Sequence, residues 1–174
     1  MTLNELIETI PDYARDQKLN LQSVLAQQEL TEQQTWTTAV ACALASRNEA
    51  LSAAVIGEAK GKLSAAQLGS AHAAFAVMGM NNIFYRFRHF MAGTDYDNLP
   101  ARLRMQAIRT HGGDPVDFEL ACLAVSAING CEACVKSHES VVRTKGVTSD
   151  AVVASVRIAA TMHAVAGVLD APRV

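Results

Sequence analysis

The chain has 174 residues, 50% hydrophobic but only 5% aromatic, with a net charge of −2. That length supports one domain with its own core, and the near-neutral charge excludes an electrostatic footprint for nucleic acid or an anionic membrane. Met1-Thr2-Leu3-Asn4-Glu5 lacks a signal-peptide pattern, and no apolar run reads as long and uncharged enough to span a bilayer, so a cytoplasmic setting is expected.

The apolar content is mostly Ala, Val, Leu and Ile, which suits closely packed helices. Leu3 to Ile10 reads as a short amphipathic helix ending near Pro11, which then opens a second helix to about Gln28. Thr31-Glu32-Gln33-Gln34 is a capping-box pattern, and the helix behind it carries Trp36, Val40 and Leu44 on one face. Arg47-Asn48 interrupts it. A helix follows from Glu49 to Lys60, with Gly61 as its C-cap. Ser64-Ala65-Ala66-Gln67 is a second capping box, opening a nearly uncharged helix to Met80 that is expected to be buried.

Asn81 to Phe90 is aromatic and basic. It reads as a helix with buried rings and solvated arginines, or as a subunit contact. Gly93 to Pro100 is a loop by composition, and Arg102 to Thr110 a short basic helix broken by His111-Gly112-Gly113. Asp114-Pro115 pairs an N-cap with proline at the first helical position, opening a helix to Ile128. Another helix is expected from Cys131 to about Lys145 with Gly146 as its C-cap, and Thr148-Ser149-Asp150 starts the last, to about Leu169. No period-2 strand pattern is present, so the fold class is all-α. Trp36 to Met78 and Phe118 to Met162 share a pattern, predicting one domain over 1–174 with two similar halves, about 30–80 and about 115–170. The first half has Glu49-Ala50-Leu51-Ser52 where the second has a cysteine pair.

That pair is Cys131-Glu132-Ala133-Cys134, with His138 four residues later. On a helix beginning after Asn129-Gly130, the two thiols and the imidazole fall on one stripe. Free N–H groups at the helix N-terminus there stabilise a thiolate. In a reducing compartment such a pair is more often catalytic or metal-binding than structural. Zinc is a rival, but Cys131, Cys134 and His138 make three ligands, and no second Cys-x-x-Cys supplies a fourth. Val135 after Cys134 excludes haem attachment, and the absence of strands argues against a thioredoxin-like fold. Spacing alone leaves redox chemistry, a metal site and a chance pair of buried thiols open, with redox first. Glu119 lies in the apolar sequence Phe118-Glu119-Leu120 on the preceding helix. It either turns to solvent or serves a buried site near Cys131. Cys42 and Cys122 read as small buried hydrophobes, and His72, His89, His111 and His163 as packing or surface residues.

Glu119, Ser126-Ala127-Ile128-Asn129-Gly130-Cys131 and Cys131-x-x-Cys134-x-x-x-His138 together resemble the AhpD alkyl-hydroperoxidase family of the carboxymuconolactone-decarboxylase-like superfamily. Met78-Gly79-Met80-Asn81-Asn82-Ile83-Phe84-Tyr85-Arg86 is a second stretch similar to that family, and the resemblance covers essentially the whole chain. It implies a helical, homotrimeric thiol peroxidase acting on alkyl hydroperoxides and reducing the peroxiredoxin AhpC. Its electrons would come from a lipoyl group (dihydrolipoamide) through a lipoyl protein and dihydrolipoamide dehydrogenase, with no bound cofactor or metal. It further implies Cys134 as the peroxide-attacking thiol that passes through sulfenic acid, and Cys131 as resolving thiol and proton donor. His138 and Glu119 would form the proton relay, and Cys131 and Cys134 the redox disulfide. Ala133 stands where some relatives carry histidine, so no role for that histidine transfers. The alternatives are a non-peroxidatic disulfide-reducing adaptor and a lactone-decarboxylase-type lyase on the same fold.

Overall fold

The computed structural model describes residues 1–172. The described residues form nine α-helices and no strand. They are α1 (Leu3–Glu8), α2 (Arg15–Ala26), α3 (Glu32–Ala45), α4 (Glu49–Ala59), α5 (Ala65–Phe90), α6 (Ala107–Thr110), α7 (Pro115–Ile128), α8 (Glu132–Thr144) and α9 (Ser149–Asp170). Single 3₁₀ turns lie at Asp12–Ala14 and Asp95–Asn98.

Local chemistry sets most starts. Thr31 with Gln34, and Ser64 with Gln67, form the two expected capping boxes. A third, Thr2 with Glu5, opens α1. Asp114 accepts from the N–H groups of Val116 and Asp117, with Pro115 at the first helical position. Two helix ends are Schellman turns built on left-handed glycines. At Gly146 (φ 87°) the N–H of Val147 reaches back to the Val142 carbonyl. At Gly130 (φ 67°) the N–H of Cys131 reaches the Ser126 carbonyl.

The centre is α3 against α7, with α5 and α9 packed on both. Ten of the fourteen residues of α3 and nine of the fourteen of α7 are buried. Neither helix has the one-sided pattern of a surface helix; each is covered all round, which their Ala, Cys, Ser and Thr content permits. Phe118 is the largest fully buried side chain. Its ring stacks on His111 at 4.0 Å between centroids, and Ser70 Oγ lies 3.0 Å from His111 Nδ1. The loop before α7 is thereby tied to α5.

Several expectations change. The segments read as Ser64–Met80 and Asn81–Phe90 are one helix of 26 residues, because no breaker falls between them. It is buried on one face only; Gly69, His72, Ala76 and Gly79 are exposed. The aromatic-basic stretch is inverted from the expected pattern. Ile83, Phe87 and Phe90 are 57%, 46% and 73% exposed, while Arg86 and Arg88 turn inward to the carbonyls of Asn129 and Asp97. Arg102 to Thr110 is helical only over Ala107–Thr110, and Arg102 itself has φ 50°. The second helix starts at Arg15 after a 3₁₀ turn rather than at Pro11. Gly61 follows the α4 cap without adopting a left-handed conformation. Finally, α9 is long and apolar enough, by length and composition, to cross a membrane, which the sequence reading excluded. In this fold it is a core helix: nine of its residues are buried, and Arg157 on its outer face pairs with Glu29 of the loop after α2.

Candidate active site

The corner between α7 and α8 brings the chemistry together. The Gly130 turn ends α7 and delivers Cys131 as the N-cap of α8, so the helix begins at Glu132, one residue later than expected. Cys131 is therefore extended (φ −97°, ψ 91°) rather than helical, and its sulfur accepts the N–H of Cys134. The pair is joined as a disulfide with Cα atoms 5.3 Å apart. The two sulfurs are unequally placed. Cys131 is 0% exposed, whereas Cys134 is 7% exposed and lines a cavity of about 330 Å³. That cavity is walled by Met78, Tyr85, Met105 and Ile108, with His138 on the same side as Cys134.

His138 lies one turn beyond Cys134 on α8, as the spacing predicts. Its Nδ1 is 2.6 Å from Oε2 of Glu119, which projects from α7. The two side chains are 14% and 18% exposed, so solvent screens the pair weakly. Its Nε2 is 3.2 Å from the sulfur of Met78 on α5. Both ring nitrogens thus have partners, and neither partner is a cysteine. Among the described residues no group of three His, Cys, Asp or Glu is arranged to hold a metal.

Behind these residues lies a buried polar chain that the sequence reading did not single out. Arg86 donates to the carbonyl of Asn129, and Asn129 Nδ2 donates to Oδ1 of Asn82. Asn82 Nδ2 donates to Ser126 Oγ at 2.8 Å, and Ser126 in turn points at the sulfur of Met78. Asn82 and Ser126 are fully buried. Their signal in the sequence was polar side chains inside otherwise apolar helices, which must find partners when covered. The chain locks α5 to the α7–α8 corner and holds the thiol pair and His138 in one frame.

The other cysteines stand apart. Cys42 and Cys122 are free and buried, and burial pushes both thiols up, with the Glu119 charge adding to the effect at Cys122. Burial thus favours the neutral thiol at both positions, as suits packing residues. His111 is a packing residue, stacked on Phe118, and its Nδ1 also accepts the N–H of Gly113 while contacting Ser70. Burial lowers its basicity against the opposing pull of Glu119 and Asp114, consistent with a neutral ring that accepts at Nδ1.

Residues 94–174 match the carboxymuconolactone decarboxylase family. Over 170 residues, 98% of this chain and 96% of the relative, the sequence is 58% identical to the alkyl hydroperoxide reductase AhpD of Solibacter usitatus. It is 52% identical to that of Acidobacterium capsulatum over 175 residues, covering 100% and 96%. Against that of Brucella melitensis it is 47% identical over 171 residues, covering 98% of each. The chain belongs to the AhpD family.

Proposed function

We propose that the chain is an antioxidant thiol peroxidase that reduces alkyl hydroperoxides through a Cys131–Cys134 dithiol/disulfide cycle. The observation that carries this reading is the pairing of a cavity-lining Cys134 with a fully enclosed Cys131 one turn away. The cavity-lining member meets the peroxide; the enclosed one resolves the product. The Cys134 thiolate attacks the terminal peroxide oxygen, an S–O bond forms, the O–O bond breaks, and the alkoxide leaves as alcohol after taking a proton. Cys131 then attacks the sulfenic sulfur, forming the disulfide and releasing water. The Cys134 N–H directed at the Cys131 sulfur stabilises negative charge there, which suits a resolving thiol that must act as thiolate. Glu119 and His138 serve as the proton relay. Apolar walls of Met78, Met105 and Ile108 suit an organic hydroperoxide, whose alkyl part gains from leaving water.

Reduction of the disulfide requires a dithiol. The electron donor in this reading is a dihydrolipoamide group on a lipoyl protein, recharged by dihydrolipoamide dehydrogenase, and the peroxiredoxin AhpC is a further acceptor. The names of the relatives, alkyl hydroperoxide reductase AhpD, support the peroxide end of the scheme. The reading takes the protein as cytoplasmic, where a dithiol pool keeps the cycle running. It takes the assembly as a homotrimer; exposed Ile83, Phe87 and Phe90 on α5, with Leu99 beyond it, support a subunit contact. It also takes the chain as a single domain in which α3–α5 is a thiol-free counterpart of α7–α9. The parallel lengths, 14, 11 and 26 residues against 14, 13 and 22, support that duplication.

The test is peroxide-dependent oxidation of dihydrolipoamide by the purified protein, with and without a peroxiredoxin. Turnover with an alkyl hydroperoxide alone is expected, as is electron flow to added peroxiredoxin. Flow to the peroxiredoxin without any direct peroxide turnover would replace the peroxidase by a disulfide-reducing adaptor.

A further inference from the structure

Three helices meet at the sulfur of Met78. His138 Nε2 from α8 lies 3.2 Å away, Ser126 Oγ from α7 3.5 Å, and Asn82 Nδ2, one turn along α5, 3.6 Å. Met78 is 1% exposed, and with His138 it borders the cavity. A methionine packed against three polar groups is an unusual use of an apolar side chain. A leucine of similar volume fills such a space as well but offers no acceptor.

A thioether sulfur has lone pairs and no hydrogen to donate. A ring nitrogen 3.2 Å from it makes a favourable contact only as the donor, so Nε2 carries a hydrogen. The opposite nitrogen, Nδ1, faces a carboxylate oxygen at 2.6 Å, and those two atoms share the remaining proton. The ring therefore has one fixed proton and one mobile proton, and which is which depends on the sulfur. We propose that Met78 is a positioning residue: its sulfur holds a proton on Nε2 of His138 and thereby directs Nδ1, with the transferable proton, to Glu119.

Two consequences follow for the relay, and this part rests on the peroxidase reading above. A ring flipped about its Cβ–Cγ bond would place Cδ2 against Glu119 and Cε1 against the sulfur and lose both contacts; the two partners together select one orientation. The buried chain from Arg86 through Asn129, Asn82 and Ser126 ends at the same sulfur, so the corner that carries Cys131 and the ring of His138 share a common anchor. Replacing the sulfur with a hydrocarbon leaves Nε2–H and the Ser126 hydroxyl facing methyl groups, and the ring loses its reason to keep that tautomer.

The experiment is nitrogen-15 NMR of the His138 ring in protein labelled at histidine, comparing the native chain with Met78→Leu, alongside steady-state turnover. In the native protein Nε2 is expected to resonate in the protonated range. In Met78→Leu that signal should move toward the unprotonated range or broaden through tautomer exchange. Turnover should fall about two- to fivefold, the rate equivalent of one weak hydrogen bond, in kcat rather than KM. An unprotonated Nε2 in the native chain, or ring signals unchanged in Met78→Leu, would overturn the proposal. If Met78→Leu does not fold, selenomethionine-labelled native protein supplies a second reading. Scalar coupling between the Met78 selenium-77 and the Nε2 proton is expected, and its absence would equally overturn the assignment. Because the ring signature needs no turnover, a protein with this signature and no peroxidase activity would retire the peroxidase reading and leave the role of Met78 standing.

Discussion

Oε2 of Glu119 and Nδ1 of His138 lie 2.6 Å apart, though the residues are separated by 19 positions on different helices. The Gly130 turn makes this possible by sending α8 back beside α7. In the proposed relay, this carboxylate would hold the imidazole in place and exchange a proton with it. Glu119→Gln keeps the shape and removes the ionisable group. Turnover of the variant should drop at least about tenfold, within the range usual for general acid–base assistance. Its circular dichroism and its mass in solution should match those of the parent. Unchanged turnover would remove Glu119 from the relay.

Asp117 gives a pH prediction of definite sign. Burial and the neighbouring Asp114 charge push its carboxyl up to about 6, against a smaller opposing effect from Gln34. The unfolded chain releases this proton near pH 3.8, so between that value and about 6 the folded state holds more protons than the unfolded state. The stability associated with Asp117 is thus complete below pH 3.8, falls as the pH rises to about 6, and is flat above. Asp117→Asn, which cannot ionise, should be more stable than the parent at pH 7 by about 1–3 kcal/mol. The advantage should vanish below about pH 4. Urea denaturation at pH 4 and pH 7 measures both values.

Gly113 is fixed by close approach rather than by backbone angle. A Cβ placed on it would lie 2.6 Å from the Cβ of Ser70 and 2.7 Å from its hydroxyl oxygen. Gly113→Ala must push the loop before α7 away from α5, disturbing the His111 contacts to Ser70 and Phe118. A loss of about 1–3 kcal/mol is expected, the usual cost of overpacking. A denaturation midpoint equal to that of the parent would show that the two segments part freely.

The exposed apolar face of α5 bears on assembly. Ile83→Lys combined with Phe90→Lys places charges where the proposed subunit contact would exclude water, and neither side chain contributes to the buried core. Light scattering at micromolar concentration should report a trimer for the parent and a lower mass for the double variant. A parent that is monomeric contradicts the trimer directly.

Much of this fold was legible because helix ends carry local chemistry. Thr31, Ser64, Asp114 and Thr148 each cap the helix that follows, and Gly146 ends one with a left-handed turn. Those signals need no knowledge of distant residues. The exposed rings of Phe87 and Phe90 were not legible, because an aromatic helix face looks the same in sequence whether a core or another subunit covers it. The inward turn of Arg86 was hidden for a related reason: its acceptor is a carbonyl freed by the end of α7, 43 positions away. In the candidate site, the thiol pair and His138 announced themselves by spacing within one helix. Glu119 was singled out by its apolar neighbours. The part played by Met78 depends on three helices converging on one atom, and no periodicity within a single helix encodes that.

The claim on which the rest depends is that Cys134 meets the peroxide and Cys131 resolves it. Single-cysteine variants separate the two steps. Each is reduced, exposed to one equivalent of an alkyl hydroperoxide, and treated with a sulfenic-acid trap, with the modified residue located by mass spectrometry. Cys131→Ser should carry the adduct on Cys134 and fail to cycle with dihydrolipoamide, while Cys134→Ser should carry no adduct and show no turnover. An adduct on Cys131 in Cys134→Ser, with none on Cys134 in Cys131→Ser, would reverse the assignment and contradict the account of the cavity as the place where peroxide is reduced.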